Sequence, residues 1–459
     1  MVTSTAATER LLAALRLRRV ASARELGEAL GVSQPSISRL LAAAGPQVAP
    51  LGQARRRRYA AVRDVRGLGT RWPLYRLDER GQPQAFGELT ALHGGGCLIR
   101  TVGTPDWHQG ACVDGFHPGL PWFLDDQRPQ GFLGRRFAQR RATALGLPDD
   151  LLHWNNDAVL AALLCHGEDA PGDFVLGDAA LERALRHAPE ALPAADRASD
   201  YAQLAQAALG GEPVGFAAGE QPKFATAVRE ADGSLRHVIV KFAEPAASPA
   251  ARRWADLLTA EHLAAELLTR HGHPGARTEL IHAHGWLCLE ATRFDRVGTH
   301  GRRGFVTLAA WSGAHDGERD DWPAAAARMR HGGWIDEATL DAIRLRWWFG
   351  RLIGNTGMHF GNLGFFLGDT LPLPLAPSYD MLPMLYRPAT GGSVVARAFD
   401  PPPPRPAALP CWSEAAAVAS RYWQQVAAHP GISDDFRRLA DANHATVQGP
   451  RRRFATDAA

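Results

Sequence analysis

The sequence has almost no lysine. Of its 51 basic residues only Lys223 and Lys241 are Lys, and all the others are Arg. Arg serves wherever charge alone is wanted, but a site that needs a compact ammonium keeps Lys. Both lysines fall in one 19-residue window, which marks that window as functional. Cysteine is also sparse. Cys97, Cys112, Cys165, Cys288 and Cys411 stand apart with no C-x-x-C pair. That argues against a zinc site or a disulfide framework and fits a reducing compartment. No apolar run approaches the roughly 18–20 residues of a membrane helix. The first residues have no signal-peptide pattern. The expectation is a cytoplasmic protein with no membrane partner.

What is present fits a multidomain globular chain. Its 459 residues predict two to four domains. Hydrophobic content of 46% and charged content of 22% are ordinary. The net charge of +3 is unevenly spread. Residues 1–66 hold twelve Arg against four acids, a charge of +8, which leaves about −5 for the rest. A basic first domain on a mildly acidic body points to nucleic acid as its partner.

Residues 7–66 read as three helices and a hairpin. Ser22 to Glu25 is a capping box that opens a second helix through Leu30. Gly31-Val32 makes the turn, and Ser33 caps a third helix from Gln34 to Ala44 with Pro35 in its first turn. Two β-type pieces, Gln47–Leu51 and Arg57–Val62, flank Gly52-Gln53. This is a winged helix-turn-helix pattern for DNA. Gln34, Ser36, Ser38 and Arg39 would reach base edges in the major groove. Arg55, Arg56, Arg57 and Arg58 on the hairpin suit phosphates or a minor groove.

Residues 67–200 are mixed. The acids Asp157, Glu168, Asp169 and Asp173 read as a solvated surface. From 201 to 300 the character changes. A Gly-bearing loop ending in Gly219-Glu220-Gln221-Pro222-Lys223 leads into a strand, Phe224–Arg229. A turn at Asp232-Gly233 and a second strand, His237–Phe242, follow and carry Lys241. An amphipathic helix, Ala255–Arg270, bears Glu261 and Glu266, and Trp286–Arg293 is a further strand. Residues 301–459 are mostly helical apart from loops at 353–380, with a last helical block at about 414–446 and a frayed tail.

A phosphate-covering loop, a strand Lys and a helix acid occur here in the order used by kinases. Gly219, Gln221 and Lys223 would lie along a bound nucleotide, Lys241 would pair with its phosphates, and Glu261 would orient Lys241. Further on, Asn362 and Asp380 are the candidate metal ligands. A kinase carries its proton-accepting carboxylate five residues before the Asn. Gly357 stands there.

These residues together resemble the HipA family of serine/threonine kinase toxins. The resemblance rests on Ala217–Phe224, Val238–Lys241, Thr292–Arg296, Asn355–Asn362 and Ser378–Asp380, and spans roughly residues 70–455. With its N-terminal DNA-binding pattern the chain is most similar to the YjjJ branch. The resemblance implies an α+β, protein-kinase-like bilobal fold preceded by a winged helix-turn-helix domain. It implies ATP and Mg²⁺ as cofactors, a protein Ser/Thr as acceptor (aminoacyl-tRNA synthetases serve elsewhere in the family) and an antitoxin partner. It places His359 in the catalytic loop, fixing it by hydrogen bonding, and Arg293 and Asp295 in a structural or adenine-side position. Two departures stand out. Gly357 occupies the place of the base, so catalysis is expected to be impaired; an inactivated toxin and a natural pseudokinase both fit. Phe216-Ala217-Ala218 offers no hydroxyl where the family carries a regulatory Ser. The alternative function is a DNA-binding regulator whose kinase-like body senses nucleotide.

Overall fold

Ser22 and Glu25 form the reciprocal cap that their spacing predicts. The Glu25 amide donates to Ser22 Oγ at 3.2 Å, and the Ser22 amide donates to Glu25 Oε2 at 2.7 Å. This cap starts the second of three helices in the N-terminal region, α1 Val2–Arg18, α2 Ala23–Leu30 and α3 Gln34–Ala44. Gly31 ends α2 in the left-handed conformation, with φ +66°, where a Cβ would be strained. Ser33 occupies the cap position of α3 but makes no capping bond; its hydroxyl meets Ser36 Oγ at 3.0 Å instead. Strands β1 Ala21–Ser22, β2 Val48–Leu51 and β3 Arg58–Ala61 complete the region as an antiparallel sheet in the order β1-β3-β2. Leu11, Leu15, Leu26 and Ile37 fill its core.

The computed structural model describes residues 2–53, 56–108, 114–186, 189–210, 221–245 and 247–456. The chain divides into two compact units. The first comprises Met1–Pro129 and Phe137–His187. Beyond the N-terminal region it contains a five-stranded antiparallel sheet, β4 Arg71–Leu77, β5 Pro83–Ala91, β6 Cys97–Thr101, β7 Phe116–His117 and β8 Phe174–Leu176, in the order β7-β6-β5-β4-β8. Helices α5 Asn156–His166 and α6 Asp178–Arg186 accompany it, with α4 Gly131–Leu145 from Phe137 onward.

The two parts of this unit share a core. Ala49, Leu51 and Ala60 of the small sheet pack with Leu92 and Leu98 of the large one. Val62 pairs with Leu92 in an isolated antiparallel bridge, the His93 amide donates to Ala61 O at 2.9 Å and the Arg63 amide to Ala91 O at 2.9 Å. Arg63 also bonds Asp157 and the carbonyl of Leu92. The acids expected at a solvated surface are therefore engaged. Asp157 pairs with Arg63, Glu168 with Arg183 at 3.0 Å, and Asp173, which is buried, with Arg76 at 2.6 Å. Partners so far apart in sequence leave no local pattern.

The second unit, Gln130–Arg136 and Ala188–Ala459, holds both lysines. Its sheet has the order β12-β13-β11-β10-β9, built from β9 Ala191–Pro193, β10 Lys223–Arg229, β11 Leu235–Ala243, β12 Thr278–Ala283 and β13 Trp286–Thr292. Helix α7 Arg197–Leu209 covers one face, where Tyr201 packs with Phe224, Val238, Val240 and Phe242. Side chains alternate along a strand, so Lys241 points to the opposite face from Val240 and Phe242. There it meets α8 Pro249–Arg270. Ser248 caps α8, accepting from the Ala251 amide at 3.1 Å, so the helix starts a turn and a half earlier than its apolar pattern predicts.

Beyond β13 come short strands, β14 Arg296–Val297, β15 Gly301–Arg302, β16 Phe305–Thr307 and β17 Gly364–Phe366, and helices α9 Leu308–His315, α10 Trp322–His331, α11 Glu337–Leu352, α12 Leu409–Ala428 and α13 Asp434–Thr456. The last helical block is thus two helices, and α13 continues as helix through the tail expected to fray. Among the described residues no helix is long and apolar enough to cross a membrane.

Candidate nucleotide and metal site

Lys241 has two carboxylates to itself. Its ammonium donates to Glu261 Oε1 at 2.5 Å and to Asp380 Oδ1 at 2.5 Å. Glu261 comes from the middle of α8 and Asp380 from the loop after β17, so three separate segments converge on one nitrogen. Of the two acids on α8 it is Glu261 that meets Lys241; Glu266 lies near His262 on the half-exposed side. Burial opposes the charge on Lys241, but Asp380 and Glu261 outweigh it and raise its pKa above the ordinary value. Burial pushes Asp380 up, yet Lys241 and Lys223 win and hold it down at about 2. Glu261 is left on the losing side, raised by burial and by the neighbouring Asp380 charge. One ammonium is shared between a buried Glu261 and an Asp380 whose side chain is one-third exposed, and it does not favour both equally.

Lys223 stands directly opposite Lys241 in the β10–β11 register. Cross-strand partners share a face, and the charge of Lys223 acts on Glu261 and Asp380. The only two lysines in the chain therefore address the same pair of acids. Gln221 donates from Nε2 to Phe242 O at 2.5 Å, which ties the end of the Gly-bearing loop to β11. Gly219 lies outside the described residues.

A relay of hydrogen bonds joins Asp380 to the loop after α11. Asn355, buried, donates from Nδ2 to Asp380 O at 3.1 Å and accepts from the Gly357 amide on Oδ1 at 2.9 Å. Asn362 donates from Nδ2 to Gly357 O at 2.9 Å. Asp380 itself has a left-handed backbone, with φ +54°, a conformation that a non-Gly residue keeps only where its surroundings impose it. Asn355 links these two loops, a contact that sequence spacing did not predict. Its role lies in contacts with Gly357 and with a residue 25 positions away, and neither has a motif.

His359 reaches the site by charge, lowering Asp380. Its ring makes no hydrogen bond among the described residues, which corrects the expected role. The loop is fixed through its backbone instead: the His359 amide donates to Gly357 O at 2.9 Å, and its carbonyl accepts from the Asn362 amide at 3.0 Å and from Trp322 Nε1 at 3.1 Å. Arg293 and Asp295 pair with each other, at 3.1 and 3.0 Å, and Arg296 joins Asp295 at 2.7 Å. They form an ion cluster.

The residues fit a magnesium-bound nucleotide. Asn362 commits its amide nitrogen to Gly357, which leaves the amide oxygen for a hard cation. Lys241 holds one oxygen of Asp380 and leaves the other. Glu261 Oε2 is buried without a hydrogen-bond partner among the described residues, so the orienting acid has acceptor capacity in reserve. At Gly357 the backbone is outside the left-handed region, and a Cβ would have Asn355 Oδ1 at 3.3 Å and Met384 Cγ at 3.6 Å as its nearest neighbours. A side chain fits there with a small shift of Asn355.

Behind the sheet lies a second buried acid that the sequence did not single out. Glu290 of β13 accepts from Arg197 at 3.1 Å, from Tyr201 Oη at 2.5 Å and from Arg236. It pins α7 to the strands that carry the lysines. In the N-terminal region Gln34, Ser38, Arg39, Arg56, Arg57 and Arg58 are exposed. Ser36 is half-buried and accepts from Arg39 Nη2 at 3.3 Å, so it supports Arg39 more than it presents itself. Arg55 lies outside the described residues.

A strand Lys, the helix acid that holds it, and an Asn and Asp brought in by loops of a helical region are the working parts of a protein-kinase-like fold. Comparison with known proteins specifies which kind. Residues 68–185 match the family described as YjjJ-like toxin, middle domain, and residues 215–446 match HipA-like C-terminal domain. The chain is 36% identical to Toxin YjjJ of Escherichia coli (strain K12) over 430 residues, which is 91% of this chain and 93% of that protein. It belongs to the HipA-like toxin family. Among solved structures it is similar to HipA of Shewanella oneidensis MR-1, in a complex with HipB and operator DNA, at 15% identity and a TM-score of 0.49 over 83% of this chain and 97% of that one. The Helicobacter pylori proinflammatory kinase CtkA matches 51% of the chain and 90% of its own length at 12% identity and a TM-score of 0.34.

Proposed function

We propose that the chain is an ATP- and Mg²⁺-dependent serine/threonine protein kinase toxin in design, able to hold its nucleotide and poor at transferring the phosphate. One observation carries this: Lys241 bridges Glu261 and Asp380 at 2.5 Å each, the arrangement by which a kinase positions phosphate and metal. Bound Mg²⁺-ATP supplies the phosphoryl group and neutralises charge as it moves. The chain's own residues do the rest. Lys241, aimed by Glu261, binds phosphate oxygens. Asp380 and the Asn362 amide oxygen hold the cation. Asn355 sets the spacing between Asp380 and position 357, where an acceptor hydroxyl would lose its proton. Gly357 has no group to take that proton, and a general base contributes about 10²–10⁴-fold.

The N-terminal three helices and sheet act as a winged helix-turn-helix that binds DNA through α3 and the Arg56–Arg58 edge. A separate antitoxin remains a partner of the same assembly. The vacancy at Gly357 also favours a second reading, a DNA-binding regulator whose body only senses nucleotide. Titration calorimetry with Mg²⁺-ATP tests the shared premise: the parent binds and Lys241→Ala does not. Gly357→Asp separates the two readings. Phosphoryl transfer to protein and growth arrest in that variant support the kinase; nucleotide binding with neither supports the regulator.

A further inference from the structure

Among the described residues, the phosphate-binding Lys and the metal-binding Asp are bonded to each other. We propose that this bond is a latch that makes the metal and the nucleotide mutually dependent ligands. The inference rests on the nucleotide-site reading above and goes beyond it: a cation shared between phosphate and Asp380 already couples the two ligands, and the Lys241–Asp380 bond would add a penalty that each ligand meets when it arrives alone.

The argument is one of competition for two atoms. A phosphate arriving alone needs the Lys241 ammonium, which is already committed to Asp380 Oδ1 and Glu261 Oε1. If it takes Lys241 it leaves Asp380 ionised and facing an anion. A divalent cation arriving alone needs Asp380, and if it takes that carboxylate it stands beside an uncompensated ammonium. Lys223, on the same face, adds to that repulsion. When both arrive, each ligand consumes the group that the other sets free. The cost of opening the Lys241–Asp380 bond is then met once for two binding events, which is positive coupling, and coupling of this kind is reciprocal.

Glu261 makes the exchange possible without losing Lys241. Its Oε1 holds the ammonium, and its buried Oε2 has no partner among the described residues. Lys241 can therefore leave Asp380 and still be held. Asn355, bonded to the backbone carbonyl of Asp380 and not to its carboxylate, keeps Asp380 in place while the side chain changes partner.

The prediction has an unusual sign: removing a metal ligand should improve nucleotide binding when no metal is present. The full chain is titrated with ADP in EDTA and in Mg²⁺. The parent should gain roughly tenfold or more in ADP affinity from Mg²⁺. Asp380→Asn should bind ADP in EDTA several-fold more tightly than the parent does and should gain little from Mg²⁺. The reciprocal variant is Lys241→Met, read with Mn²⁺ alone by electron paramagnetic resonance; it should bind Mn²⁺ more tightly than the parent. Circular dichroism checks that each variant is folded, and either variant alone suffices. A folded Asp380→Asn that binds metal-free ADP no better than the parent overturns the latch, as does a folded Lys241→Met with unimproved Mn²⁺ affinity. A parent that fails to bind ADP even with Mg²⁺ overturns the nucleotide-site reading itself, so the two failures are distinguishable.

Discussion

Asp380 is a carboxylate that should keep its charge far into the acid range. Its carboxyl is held at about 2 against an ordinary 3.8, chiefly by Lys241 after burial is overcome. A depressed carboxylate contributes stability that is present above its unfolded pKa and lost as the pH falls through the folded one. The window is therefore from about pH 4 down to about pH 2. The parent should lose melting temperature relative to Asp380→Asn across that window, and a difference that stays constant there would refute the ion pair. A Cβ at position 357 would press on Asn355 Oδ1 at 3.3 Å, so Gly357→Asp should cost a modest amount of stability, seen as a small drop in the thermal melt.

At the scale of the element, α7 is held by a charge. Glu290 is fully buried and satisfies two Arg and a Tyr at once. Truncating one partner of a buried ion cluster leaves the others uncompensated, typically at about 3–5 kcal/mol. Glu290→Ala should lower unfolding stability by that order in denaturant titration, while Glu266→Ala, on an exposed side of α8, should leave it nearly unchanged. The elements themselves were largely legible. Residues α2 and α3 begin and end where the capping box, Pro35 and Gly31 put them, and β10 and β11 follow from alternation around Asp232-Gly233. These signals are local, so a linear sequence carries them. Asn355, Glu290 and Asp173 were not legible because their meaning lies in partners far along the chain. The break between α12 and α13 does have a local signal, Pro430-Gly431, which a reading of one helical block passes over.

On the scale of the whole molecule, charge is partitioned. The +8 of residues 1–66 sits on a first unit and the lysines on a second. DNA binding by that first unit should be dominated by phosphate contacts. Replacing Arg56, Arg57 and Arg58 by Ser should weaken a gel shift and flatten its log–log salt dependence by about 2–3 units, near 0.9 for each contact. An unchanged slope would exclude these residues. Point substitution is the right probe because deletion of residues 1–66 would strip Leu92 and Leu98 of the side chains that cover them.

That shared core has a consequence for how such a chain can change over generations. Ala49, Leu51 and Ala60 are covered by the sheet of the neighbouring region, and Arg63 is tied across the boundary to Asp157. A recombination breakpoint near residue 66 would bring a foreign apolar surface against Leu92 and Phe116 and leave Asp157 without its cation. The workable crossover falls instead outside the first unit as a whole. The N-terminal three-helix region and the five-stranded sheet of the first unit should therefore be inherited together, and chimeras that exchange both should fold where those that exchange the N-terminal region alone do not.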